Sequence, residues 1–129
     1  MLISDYFNQF SQHLASYQGT GLVVSTEIRF DGRTDTQGFI SATVEFTDGS
    51  KLFVREYVDV RSGVEKFSYA YHYQDQATTL IFRYDNARHR PDLGFLDHRH
   101  TESSIVAVPI PTLESVLGEV FDYMRKSEE

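Results

Sequence analysis

The sequence contains no cysteine and no tryptophan, only three prolines, and 12 Lys and Arg against 19 Asp and Glu. Each shortage excludes something. Without cysteine there is neither a disulfide scaffold nor a thiolate metal site. A formal charge of −7 argues against a protein that coats duplex nucleic acid with a broad basic surface. No run approaches the ~20 apolar residues of a membrane span, and the start lacks the basic and apolar regions of a signal peptide. A cytoplasmic location is the expectation. The eight glycines are scattered turn residues, not a phosphate-cradling loop. Neither a Gly-x-Ser-x-Gly elbow nor a His-Glu-x-x-His helix occurs, so nucleophile-based or zincin-type hydrolysis has no motif to stand on.

What is present suits one packed domain. A chain of 129 residues, 40% hydrophobic and 14% aromatic, is long enough to bury an independent core, and we expect a single α+β domain over residues 1–129. Ile3, Tyr6, Phe7, Phe10, Leu14 and Tyr17 recur at three- and four-residue spacing, which predicts an amphipathic helix over 2–18, stopped by Gly19 and Gly21. A second helix follows Pro111, with Thr112 as its N-cap and Leu113, Val116, Leu117, Val120, Phe121 and Met124 as its apolar stripe. Between them, strands are predicted at 22–31, 38–47, 51–60, 65–74, 78–85 and 98–108. The turns are too short for anything but antiparallel neighbours. The expected architecture is an antiparallel meander of about six strands with both helices on one face.

Alternation also selects a register. A two-residue loop at Asp48-Gly49 would set Val44 and Phe46 on the opposite face from Leu52 and Val54. A three-residue loop with Gly49 left-handed unites all four. Carried onward, the pattern assigns Leu52, Val54, Val58, Phe67, Tyr69, Tyr71, Tyr73, Leu80, Phe82 and Tyr84 to the helix-covered face, with Glu56 as a polar intruder. Arg55, Tyr57, Ser68, His72, Arg83 and Asp85 fall on the other face, polar enough to meet solvent or a ligand.

The chemistry-bearing residues concentrate between Arg83 and His100. That window holds Arg83, Arg88, Arg90 and Arg99, Asp85, Asp92 and Asp97, and His89, His98 and His100. On a strand, His98 and His100 share a face roughly 7 Å apart along the chain, and Glu102 would continue their stripe. Imidazoles give and take protons near neutrality, so the pair could do acid/base work or bind a metal. A lone His-x-His is a weak motif, common on solvated edge strands, and turn formation plus surface charge would also account for the run from Arg83 to Pro91. His13 reads as a solvated helix residue. Tyr69, Tyr71 and Tyr73 could stack bases, but alternating aromatics on a sheet are more often core.

Four segments together resemble a known family: Tyr69-Ala70-Tyr71-His72-Tyr73-Gln74, Leu80-Ile81-Phe82-Arg83-Tyr84-Asp85-Asn86-Ala87, His98-Arg99-His100 and Pro111-Thr112-Leu113-Glu114. In order and spacing these are similar to TumE-type toxins over about Gly21 to Tyr123. The resemblance implies the toxin of a type II toxin–antitoxin pair, with a cognate helix-turn-helix antitoxin as partner. Its candidate positions are Arg83, Asp85, Asn86, His89, His98 and His100. We expect a metal-independent ribonuclease without cofactors. His98 or His100 would take the 2′-hydroxyl proton of RNA, and the other, or His89, would protonate the leaving 5′-oxygen. Arg83 would hold the phosphate, Asp85 would orient an imidazole or Arg83, and Asn86, Arg55 and His72 would line the substrate site. The rivals are a protein-binding module without catalysis and a metal-dependent hydrolase built on His98, His100 and a carboxylate.

Overall fold

Residues 1–128 are described by a computed structural model. The element order is α1 (Ile3–Gln18), β1 (Val23–Gly32), β2 (Gln37–Phe46), β3 (Lys51–Asp59), β4 (Glu65–Gln74), β5 (Leu80–Asp85), β6 (His98–His100), β7 (Ile105–Ala107) and α2 (Leu113–Ser127). All seven strands form one antiparallel sheet in the order β1-β2-β3-β4-β5-β6-β7. It is an α+β meander, as the alternation predicted. The sixth expected strand is two, because Thr101 and Ser104 close a tight turn, backbone to backbone, that separates β6 from β7. Glu102 therefore sits exposed in that turn and does not extend the His98–His100 stripe.

Both helices bury their stripes on one side of the sheet. Phe10 and Leu14 of α1 and Val116, Leu117, Val120 and Met124 of α2 enter a single cluster with Ile40, Val44, Phe46, Leu52, Val54, Tyr71, Tyr73 and Phe82. Each large side chain so buried contributes about 1.5–3 kcal/mol relative to exposure. Thr112 caps α2 by accepting from the Ser115 backbone N–H at 3.0 Å. The β2–β3 hairpin turns through three residues with Gly49 at φ +82°, pairing Val44 with Leu52 and Glu45 with Lys51. The left-handed conformation is open to glycine because it has no Cβ to clash.

Two bulges overturn two predicted positions. Val58 pairs with Lys66 and Tyr57 with Ser68, so Phe67 is an extra residue. Its ring turns to the helix-free face, 42% exposed, and packs on Tyr57 with ring centroids 5.2 Å apart. Likewise Tyr73 pairs with Phe82 but Gln74 with Leu80. Leu80 thereby leaves the core face, and Ile81 packs against the cluster instead. An extra residue reverses the facing of everything on one side of it.

Glu56, 2% exposed, is a structural pair beneath α1. Its carboxylate accepts from Tyr6 Oη at 2.5 Å and from Tyr71 Oη, and Lys66 Nζ lies 3.5 Å away. Lys66 also donates to Tyr71 Oη at 2.6 Å and to the Pro111 carbonyl at 2.8 Å. Burial holds the Lys66 amine below its usual value against the pull of Glu56 and pushes the Tyr6 and Tyr71 hydroxyls up, reinforced by the same carboxylate.

Candidate functional site

Because the sheet is a meander without crossovers, residues paired strand to strand form straight rows across the helix-free face. One row runs Arg29, Ser41, Arg55, Ala70, Asp85, His98. The next runs Glu27, Thr43, Phe53, His72, Arg83, His100. Small residues at Ser41 and Ala70 lower the floor between larger neighbours, and a groove of about 740 Å³ results. Arg29, Arg55 and Arg83 border it, with Phe39, Tyr57 and Phe67 on one flank and Asp85 and Asn86 at its β5 end. Phe39 and Tyr57 stack at 4.3 Å between centroids. Arg83 is tied to Asp85, whereas among the described residues Arg29 and Arg55 join no ion pair. A protein of charge −7 thus keeps unpaired cations on this face.

At the far end of those rows the loop from Asn86 to Asp97 folds back on β6 and delivers His89. Its Nε2 lies 3.1 Å from Nε2 of His98 and 3.2 Å from Nε2 of His100. His98 is fully buried and its Nδ1 contacts the Leu96 carbonyl. A carbonyl only accepts, so Nδ1 carries a proton, and Nε2 is the ring atom turned to the cluster.

Asp85 joins this cluster to the groove. Its Oδ1 lies 2.8 Å from His98 Nε2 and accepts the Ala87 backbone N–H at 3.0 Å. Its Oδ2 accepts from Arg83 Nε at 2.8 Å and stands 3.9 Å from His100 Nε2. Burial alone would raise the Asp85 pKa, but the hydrogen bonds from Arg83 and Ala87 and the nearby charges hold it below its usual value. Burial, then His98, hold the His100 imidazole below 6.5, opposed by Asp85. His72 is likewise held down by burial, with Gln74 opposing and Arg83 adding. Its Nδ1 meets Arg83 Nη1 at 3.3 Å and its Nε2 meets Gln74 at 3.1 Å.

Of the sequence candidates, Asp85, His89, His98, His100 and Arg83 come together, with His72 touching Arg83 and Arg55 in the groove. Asn86 also borders the groove, but its amide is engaged by β4: Oδ1 accepts from Tyr69 N and Nδ2 donates to the Phe67 carbonyl. It clamps the bulge. The other arginines of the 83–100 window do not belong here. Arg99 points to the helix side and pairs with Glu119 of α2, and Arg88 and Arg90 are exposed on the loop. The basic lining instead draws on Arg29, which sequence reading missed. Its only signal was the alternation of β1, which is faint because both faces of that strand carry polar residues.

A family model described as Toxin TumE matches residues 12–128. The chain belongs to the TumE toxin family. No curated protein and no solved structure matches it. The TumE match spans all of the groove and the whole cluster, from Arg29 to His100, together with the α2 helix that backs them. As a TumE-type toxin the chain is one component of a toxin–antitoxin system, with an antitoxin as partner. None of its described helices is long and apolar enough to cross a membrane.

Proposed function

We propose that this toxin acts as a ribonuclease, with the groove holding an RNA strand and the cluster at its β5 end attacking the phosphodiester. The observation that carries this reading is the coupling through Asp85, whose two oxygens face an imidazole cluster on one side and a groove-lining arginine on the other. Phosphodiester cleavage needs positive charge beside the phosphate and a base for the attacking oxygen. Arg83 supplies the charge at the groove's edge, with Nε spent on Asp85 and Nη1 against His72. Arg29 and Arg55 continue the charge along the strand's path. Tyr57 and Phe67 offer ring surface to unpaired bases, each stack being worth about 1–3 kcal/mol, and Phe39 backs Tyr57.

His98, fully buried, is sealed from any substrate and serves to fix the cluster. The proton-handling work falls to the part-exposed His100 and His89. This redistributes the roles expected from sequence, where His98 and His100 were equivalent. Asp85 orients both Arg83 and the imidazoles. We assign the partner as a protein antitoxin, the type II arrangement, of helix-turn-helix class, covering the groove with an acidic or apolar segment that satisfies its arginines. The target would be cytoplasmic RNA.

The test is incubation of cellular RNA with purified protein, followed by analysis of the product ends. Cleavage lost in His100→Ala and Asp85→Ala supports the reading. Intact RNA beside a folded protein that still arrests growth would sink it and leave a protein target.

A further inference from the structure

We infer that His89, His98 and His100 form a three-histidine site for one divalent ion of the zinc class. The geometry is that of ligands around a common centre. Imidazoles bound to zinc at about 2.0–2.1 Å in tetrahedral array hold their nitrogens about 3.3 Å apart. The His89 Nε2 lies 3.1 and 3.2 Å from its two neighbours, and the three ligand atoms all fall within 4.8 Å of one another. The same atom, Nε2, is presented by all three rings.

With all three rings neutral, hydrogen bonding alone satisfies this cluster poorly. In that state Nε2 of His98 is an acceptor, since its one proton, on Nδ1, goes to the Leu96 carbonyl. It faces the Asp85 carboxylate at 2.8 Å and a second imidazole nitrogen at 3.1 Å. His89 Nε2 faces two imidazole nitrogens at once, and a single proton there can serve only one of them. A second proton on His98 would point to the Asp85 carboxylate at 2.8 Å, and charging the other rings as well would crowd like charges into the same few ångströms. A dication accepts every one of these lone pairs together.

The surroundings fit as well. The Leu96 carbonyl fixes the ring tautomer of His98, the usual outer support of a metal-bound imidazole. The Asp85 carboxylate supplies negative charge beside the centre. With no thiolate and with imidazoles as the ligands, the donor set suits Zn(II), Co(II), Ni(II) or Cu(II) and not Mg(II) or Ca(II). A bound ion would lower the pKa of a coordinated water and so provide the base in place of a free imidazole. The assignment rests on the cluster's geometry alone and holds whether or not RNA is the substrate.

The experiment is titration of chelator-stripped full-length protein with ZnCl2 by calorimetry and with CoCl2 by visible absorption. Wild type, His89→Ala and His100→Ala are compared, with folding checked by circular dichroism. His89 stands on a surface loop, so its variant keeps the sheet intact. We expect one equivalent bound, visible cobalt bands of a low-coordinate nitrogen site, and no response to MgCl2. Affinity should fall more than about 100-fold in either variant, beyond what loss of an orienting partner costs. Absence of stoichiometric binding to wild type, or binding undiminished in both folded variants, would overturn the site. Ribonuclease activity is read separately on the same samples. Binding without cleavage would defeat the ribonuclease reading and leave the metal site standing.

Discussion

Two buried polar clusters lie on opposite faces of one sheet, and they differ in how their hydrogen bonds balance. Beneath α1, Glu56 accepts from Tyr6 and Tyr71, and Lys66 donates to Tyr71 and to the Pro111 carbonyl. Donors and acceptors are matched, and the cluster is complete without a guest. On the far face, Asp85 and three imidazoles meet in contacts of 2.8–3.2 Å, more than one proton per neutral ring can serve. Both clusters bury charge, yet only the second has chemical capacity left over. A buried polar group is thus no indication of function by itself. The surplus of lone pairs is.

The largest expected effect breaks this contrast on the functional side. His100→Ala should lower RNA cleavage by about 10²–10⁴-fold, the usual worth of a proton-transfer group, while the thermal midpoint moves little, because His100 is part-exposed on a short strand. On the structural side, Glu56→Ala strands the Lys66 amine and should cost about 3–5 kcal/mol in urea unfolding, with the cleavage rate of the folded fraction retained. Glu56→Leu combined with Lys66→Met, Tyr6→Phe and Tyr71→Phe should regain most of that loss, since apolar groups can replace a matched polar cluster once every partner is removed with it. No apolar replacement at Asp85 should restore cleavage.

The alkaline limb sharpens the comparison further. Burial raises the Tyr6 and Tyr71 hydroxyls above their ordinary 10.0, with Glu56 adding to the shift. The folded state therefore keeps protons that the unfolded chain releases above pH 10, and stability should fall as pH rises beyond that point. Lys66, held low, acts in the opposite sense but is one group against two. Urea midpoints measured between pH 9 and 11 should decline in wild type and decline less in Tyr6→Phe. The smallest effect belongs to the groove. Arg55→Ala should leave stability within about 0.5 kcal/mol, weaken RNA binding several-fold and reduce the salt slope of log K by roughly one.

Much of the fold was legible because alternation and turn chemistry agree. The Asp48-Gly49 loop could join its strands only in the register that keeps Val44, Phe46, Leu52 and Val54 together. The errors at Phe67 and Leu80 come from bulges, where one extra residue inverts facing with no change in composition. The five residues of the cluster were named from type and spacing, but their convergence was not. His89 reaches His98 through a loop whose path no periodicity encodes. Arg99 falls by position in the chemistry-bearing window, but Glu119, twenty residues on, claims it.

The unbroken strand order has a consequence for how the toxin comes into being during synthesis. Each strand pairs with the one made just before it, so the sheet can be laid down in the order of translation, with few long loops to close. The last of the three histidines leaves the ribosome before α2 does. Until Leu113, Val116, Leu117 and Val120 follow, the cluster that holds Tyr73 and Phe82 lacks its α2 side. The groove and the histidine cluster are thus made first and the element that completes their scaffold last, which gives an antitoxin an interval in which to meet an unfinished sheet.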